Sequence, residues 1–489
     1  MSLLIQNARL VTATSAATST NADALSDLYA ADDKITQIAA PGSLKPADLP
    51  GHTTVLDAAG KLLMPGFIDP HVHIHLPFMG THAKDDHPTA SRAALIGGTT
   101  TYLEMVCPSR DEQPIEAYQL WSDKAAKGVC DFGFHIGVTR YDDEVEQQLR
   151  TLVADHGQRS FKVFLAYKGA FGVTDDELYG VCKLAKELGV TVTAHCENAE
   201  LVAANQAALL AEGKTSPRWH EPSRPVAVEA EGVHHFCTFL QMTGATGYIV
   251  HTSCREAVEV ALKFRGQGVD VAVETVIPYL TLDDSYAQRD ASTGHDPFEG
   301  AKYVMSPPIR SADHQHYLWH ALAAGHVHTL GTDHAPFDFA TQKHMGCPDP
   351  RKAVDAEFNP LGEASDFTRI PNGIPSIEHR ADLLFQGVAD GRITLQQFVA
   401  LASTNAAQLF GLHSKGHLAP GYDADLVLYD PNAPKTISAQ NHHMATDYSG
   451  FEGATHPGHA THVFLRGQAA VIDSQLVDDL PRGQAAPRG

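Results

Sequence analysis

Six side chains able to ligate a metal or carry a proton lie on five short apolar runs, all but Lys162 at or near the run's end: His71, His73, Lys162, His195, His251 and Asp333. In His71-Val72-His73 the two imidazoles stand two residues apart. Alternate residues of a strand share a face, so both rings point the same way, as neighbouring metal ligands do. Alone the pair is a weak signal, because His-x-His occurs four times (71/73, 73/75, 314/316, 326/328) in a chain with 29 histidines. Position distinguishes it: the pair closes the first apolar run after the strand-breaking Pro65-Gly66. Lys162 lies inside Phe161-Lys-Val-Phe-Leu165, where a charge is expensive. Three further runs end in His195-Cys-Glu-Asn198, His251-Thr-Ser253 and Thr332-Asp333-His334. Four imidazoles and a carboxylate exceed the three protein ligands of a mononuclear catalytic zinc. They suit two divalent cations sharing a bridging water. Two cations also account for the lysine. A protonated amine is a poor ligand, whereas the carbamate it forms with CO2 is an anionic bridge. Such a centre acidifies water and polarises a carbonyl.

Something must bring these ends to one place. Apolar, β-rich runs recur at 66–74, 99–106, 132–138, 160–167, 190–196, 247–253, 270–277 and 327–334, separated by longer helical stretches. Most are continuously apolar, as strands buried on both faces are. One linking helix carries its own signals: the capping box Thr174-Asp-Asp-Glu177, an apolar face of Leu178, Val181, Leu184, Ala185 and Leu188, and a terminating Gly189. Eight such units predict an α/β fold of the (β/α)8 TIM-barrel class, whose active site lies at the C-terminal ends of the strands. An open doubly wound sheet is the rival arrangement.

Both chain ends read instead as alternating strands, at 3–12, 53–57 and after the turn at 416–421. Neither end holds enough core alone, so they are expected to pair into one small β-sandwich domain. The expected division is 1–60 and 411–475 for the β-sandwich, 61–410 for the barrel and 476–489 for a loose Pro/Gly-rich tail. The polar, turn-rich stretch 339–366 is expected as a long loop on the barrel rim.

The balance of 36 Lys+Arg against 58 Asp+Glu leaves a formal net charge of −22. That excludes a basic nucleic-acid-binding face and an anionic membrane surface as partner. No apolar run approaches the ~18 residues of a membrane span. The first ten residues do not read as a signal peptide. Seven cysteines (107, 130, 182, 196, 237, 254, 347) without Cys-x-x-Cys read as free, buried thiols in a reducing compartment, so the expected location is cytoplasmic.

The ordered set Pro70-His-Val-His73, Phe161-Lys-Val-Phe-Leu-Ala-Tyr-Lys-Gly169, His195-Cys-Glu-Asn198, His251-Thr-Ser-Cys254, Met305-Ser-Pro-Pro-Ile-Arg310, Gly331-Thr-Asp-His-Ala-Pro-Phe337 and Ile370-Pro-Asn-Gly373 resembles the dihydropyrimidinase/hydantoinase family of the amidohydrolase superfamily. The resemblance covers about residues 3–475. It implies metal-dependent hydrolysis of the cyclic amide of dihydropyrimidines or 5-substituted hydantoins to N-carbamoyl amino acids, by a bridging hydroxide in a binuclear site. By that resemblance His71 and His73 bind the first metal, and His195 and His251 the second. Lys162 bridges the two as N6-carboxylysine. Asp333 binds the first metal and acts as general base. Tyr167 faces the forming oxyanion, and Ser306 and Asn372 hold the ring amide through backbone groups. Phe78, Phe164 and Phe171 form the pocket for the ring substituent. Zinc is the expected ion, and a tetramer or dimer the expected homo-oligomer.

Two departures stand out. Position 75 is His, where the related dihydroorotases carry an arginine that pairs with their substrate's carboxylate. The 344–366 segment is longer than is usual between the Asp and Asn motifs. Allantoinase-like and dihydroorotase-like enzymes remain alternatives. So does a non-catalytic scaffold of the collapsin response mediator type, which the complete ligand set disfavours. A mononuclear deaminase would not need Lys162.

Overall fold

A buried, continuously apolar strand needs neighbours on both faces, and eight of them satisfy one another by closing into a ring. The computed structural model describes residues 2–13, 24–346 and 366–489. Its parallel strands are β1 (Phe67–Val72), β2 (Thr99–Val106), β3 (Asp131–Gly137), β4 (Ser160–Phe164), β5 (Thr191–His195), β6 (Thr246–Ile249), β7 (Val271–Val276) and β8 (Thr329–Gly331). They pair in chain order from β1 to β8. A parallel bridge between Val72 and His334 closes the ring, with Asp333 N donating to His71 O at 3.0 Å and His73 N to His334 O at 2.9 Å. The fold is the (β/α)8 TIM barrel that the sequence predicts, not an open sheet.

Strand ends fall earlier than the apolar runs suggest. β6 stops at Ile249 and β8 at Gly331, two residues short of His251 and Asp333. Both residues adopt positive φ, 39° and 50°, which ends the ladder and turns their side chains into the mouth. β1 is irregular too, with a register shift between Asp69 and Val72 around Pro70, the kind of bulge that re-aims side chains. The helix Asp175–Leu188 follows its sequence signals. Glu177 accepts from Thr174 N at 2.8 Å, and Gly189 sits at φ 66°.

The chain termini share one mixed nine-stranded sheet, the β-sandwich part of the fold. Its seam is antiparallel, Leu62–Pro65 against Leu426–Asp430. Leu3 and Ile5 pack on one face and Leu4 on the other. Gly66 joins this sheet to β1. A Cβ there would meet Thr100 Oγ1 at 2.2 Å and Asp425 Cβ at 2.8 Å, so only glycine fits the close approach of sheet and barrel.

A buried charge cluster pins the two together. Lys415 Nζ lies 2.6 Å from Asp425, 2.8 Å from Asp131 at the start of β3, and 3.2 Å from Asp423. Arg466 also pairs with Asp131. Burial opposes the lysine's charge, but the three carboxylates hold its pKa above the ordinary value.

The loose-tail expectation for 476–489 is corrected. Ala485 bridges Phe132. Arg488 donates to Phe410 O at 2.8 Å, Phe134 O at 2.5 Å and Ser160 Oγ at 2.9 Å. Phe132, Phe134 and Ser160 belong to β3 and β4, and Phe410 follows the helix Asn405–Leu409; all lie far along the sequence, so local composition carries no trace of them. The expected rim loop 339–366 lies largely outside the described residues. Cysteines 107, 130, 182, 196, 237 and 254 are free and buried, and Cys347 lies outside the described residues. No helix among the described residues is long and apolar enough to cross a membrane.

Lys415→Met leaves Asp131 and Asp425 buried with too little positive charge. We expect a loss of about 3–5 kcal/mol, typical of breaking one side of a buried ion pair. It should be read as a lowered urea midpoint; an unchanged midpoint would remove the cluster from the account of stability.

Candidate active site

The barrel mouth gathers the donors in two sets. In the first, His71 Nε2 and His73 Nε2 are 3.2 Å apart, and Asp333 Oδ1 lies 3.2 Å from each. All three residues are buried, and their ligand atoms lie within 4.8 Å of one another. In the second, His195 Nδ1 faces His251 Nε2 at 2.9 Å. Burial pushes the pKa of His71, His195 and His251 down, which keeps them as neutral imidazoles, the form that binds a metal. Burial raises Asp333, but His71, His73 and Lys162 together hold it below the usual carboxylate range.

Lys162 belongs to β4, is fully buried, and its Nζ has no hydrogen-bond partner among the described residues. It sits 4.8 Å from the Phe164 ring centre. Burial lowers its pKa to about 8, against the pull of Asp333. A buried amine without a partner is costly. Opposed imidazole nitrogens likewise require a shared proton or a cation between them. The donor chemistry and the orphaned amine therefore fit divalent ions bound here.

Carboxylates behind the imidazoles fix which nitrogen faces the site. His71 donates Nδ1–H to Glu274 Oε1 at 2.8 Å, leaving Nε2 for the site. His195 donates Nε2–H to Glu197 Oε2 at 2.7 Å, leaving Nδ1. Histidine ligands of metals commonly have such partners. Glu274 also accepts from His251 N at 3.0 Å and from Tyr248 OH at 2.6 Å. Burial raises its pKa to about 7. Burial would raise Glu197 also, but Arg224, 2.6 Å away, and His195 hold it at about 2.

In front of the donors is a cleft lined by His73, His195, His251 and Asp333 together with Tyr167, Ser306, Asn372, Phe78, Phe164 and Phe171. His71 and Lys162 lie beneath it. Asn372 Nδ2 donates to Ser306 Oγ at 2.9 Å and lies 3.5 Å from Tyr167 OH. Tyr167 holds a positive φ of 59°. The three phenylalanines pack together, with Phe78 to Phe171 at 6.4 Å and Phe164 to Phe171 at 5.8 Å between ring centres. Every expected site residue thus lies at one mouth.

Two further buried histidines, His334 and His135, are tied into the barrel by hydrogen bonds. His334 hydrogen-bonds Asp85 and accepts from Ser376 N. His135 spans Ser160 Oγ and Pro70 O. The sequence reading missed Glu274, Glu197 and Arg224, and the cleft walls Leu76, Cys107 and Ala335. Glu274 carried the signal that exposed Lys162, a charge inside the apolar run 270–277. Arg224, on the connection before a helix, carried none.

Residues 62–470 match the Amidohydrolase family. The chain belongs to that family, in its dihydropyrimidinase/hydantoinase branch. It is 41% identical to the D-hydantoinase of Geobacillus stearothermophilus, over 100% of this chain and 97% of that protein. It is 36% identical to the dihydropyrimidinase of Rattus norvegicus, over 88% of this chain and 80% of that protein. The solved D-hydantoinase (dihydropyrimidinase) from Thermus sp. superposes with a TM-score of 0.89 at 50% identity, covering 99% of both chains.

In this amidohydrolase the carboxylate of Glu197 favours the folded state once ionised. Its folded pKa of about 2 lies below the ordinary 4.5, so its stabilising contribution is full above pH 4.5 and is lost as pH falls toward 2. Glu197→Gln should flatten the stability curve in that window, measured by chemical denaturation of metal-free protein. An identical acid slope in both proteins would refute the assignment.

Proposed function

We propose that this amidohydrolase opens the ring of a dihydropyrimidine or a 5-substituted hydantoin, giving an N-carbamoyl amino acid. The observation that carries the reading is one cleft in which two sets of metal-ligand donors face Tyr167, Ser306 and Asn372 across an aromatic wall. The names of its relatives support the same chemistry.

His71, His73 and Asp333 would hold one divalent ion, and His195 and His251 a second. Lys162, as N6-carboxylysine, would join the two sets. Zinc is the ion this donor chemistry suits. Bound ions would supply acidified water and a Lewis acid for the scissile carbonyl. The protein's own groups do the rest. Asp333, ionised at neutral pH, takes the proton of the attacking water and returns it to the leaving ring nitrogen. Tyr167 donates to the carbonyl oxygen as it becomes negative, from a backbone position fixed before reaction. Ser306 and Asn372 hold the ring amide. Phe78, Phe164 and Phe171 exclude water and receive the ring substituent.

A dihydroorotase-like reading is disfavoured by the cleft itself. No arginine or lysine is among the described residues lining it, so a substrate carboxylate would be buried without a cationic side chain to pair with. His75 stacks on His82 at 4.9 Å instead of facing the ring.

A panel of dihydrouracil, 5-substituted hydantoins, allantoin and dihydroorotate tests the substrate class. The first two should turn over, and exclusive turnover of either other compound would overturn the proposal. Chelation should abolish hydrolysis and added Zn2+ restore it; turnover surviving metal-free preparation would exclude the metal mechanism. Lys162→Ala should lose activity and regain part of it with short carboxylic acids, read as initial rates. Tyr167→Phe should lower kcat by about 10²–10³-fold, as loss of one oxyanion donor does. Asp333→Asn should cost at least as much.

A further inference from the structure

Lys343 is fully buried, and no described carboxylate pairs with it. It stands on the short turn Lys343–Gly346. Its Nζ instead meets three backbone carbonyls, Pro371 O at 2.6 Å, Gly373 O at 2.8 Å and Val304 O at 3.0 Å. Burial pushes the amine's pKa well down. Yet three acceptors at these distances take three N–H donors, which only the ammonium supplies.

The carbonyls belong to the two segments that carry Ser306 and Asn372. Val304 stands two residues before Ser306, and Pro371 and Gly373 flank Asn372. Val304 O also accepts from Gly373 N at 2.9 Å. His220 Nε2 braces the first segment at Met305 O, 2.8 Å away, and Ser306 Oγ, 3.2 Å away. Gly373 is held at φ 144°, where a Cβ would meet Ala335 O at 2.2 Å. The second segment therefore runs tight against the cleft wall, with little freedom to adjust by itself.

We propose that Lys343 is a positioning residue for substrate recognition: its ammonium clamps the 304–306 and 371–373 segments at the separation that the cyclic amide requires. The proposal rests on the reading that Ser306 and Asn372 hold the ring amide. Lys343 touches neither the substrate nor the metal donors. Its removal should weaken ring binding equally in the ground and transition states, so the effect falls on KM and not on kcat.

Lys343→Met keeps the volume and removes every donor, and Lys343→Gln keeps two N–H groups. For Lys343→Met, KM for dihydrouracil and hydantoin should rise about tenfold or more, with kcat within about threefold of wild type. Metal content should stay at the wild-type value. Hydrogen exchange followed by mass spectrometry should show faster exchange in peptides covering 304–306 and 371–373, because the Gly373 amide loses its fixed acceptor. Lys343→Gln should fall between the two. Unchanged KM, unchanged exchange at those segments, or a fall in kcat with loss of metal would each overturn the clamp. Should Lys343→Met not fold, Lys343→Gln carries the same readouts. If wild-type protein opens none of the rings tested, the substrate reading fails, and the exchange comparison still decides whether Lys343 holds the segments.

Discussion

Two backbone hydrogen bonds cross the gap between the first and last barrel strands, Asp333 N to His71 O and His73 N to His334 O. Residues 71–73 and 333 lie some 260 positions apart in the chain, and this crossing sets Asp333 Oδ1 3.2 Å from both imidazoles. Buried polar groups beneath the seam hold it. Thr332 Oγ1 donates to Asp69 Oδ2 at 2.6 Å, and His71 N to Asp69 Oδ1 at 3.2 Å. Arg380 reaches Leu330 O at 2.8 Å. The first donor set is therefore a by-product of ring closure. A barrel that failed to close would hold the same residues and no site.

Closure concentrates groups that apolar packing alone would exclude. Six ionisable side chains share one buried mouth, and burial presses His71, Lys162, His195, His251 and Asp333 toward their neutral forms. The fold offsets this unevenly. Glu274 and Glu197 stand behind His71 and His195 and point the remaining ring nitrogens inward. Lys162 receives no such partner. In a stability-optimised barrel that position would be a leucine or valine. An orphaned amine on β4 is tolerable where a further group completes it, and the strained φ angles at His251, Asp333 and Tyr167 follow the same logic. Unfavourable local conformations persist at a site because the surrounding packing over-determines them.

The two ends of the barrel divide the labour. At the N-terminal end, Lys415, Arg466 and Arg488 meet Asp131, the backbone of β3 and the Ser160 hydroxyl of β4, tying the terminal sheet and the last residues to a rigid floor. At the C-terminal end, long connections supply Ser306, Asn372 and Lys343, which meet only in the folded chain. Under the proposed function the floor serves stability and the rim recognition, the division seen in barrels generally.

The sequence by itself determined the repeat of buried strands, the barrel class and the donor side chains that meet at its mouth. Those features rest on local regularities: continuous apolar runs, helix caps, and charged or imidazole side chains where an apolar run ends. Glu274 is legible only as a charge inside the apolar run 270–277, and a single buried glutamate lacks the spacing partner that His71 and His73 give each other. Tyr167, Ser306, Asn372 and the three phenylalanines were reachable only through family resemblance, since nothing in their own segments distinguishes a cleft wall from a core. Tertiary structure alone decided the rest. It chose which imidazole nitrogen faces the site, gave Lys415 and Arg488 their distant partners, docked residues that composition reads as a tail, and turned Lys343 toward three carbonyls. The physical reason is shared. Hydrogen-bond and charge partners of buried polar groups are set by contacts tens to hundreds of residues apart, and local pattern holds no record of them.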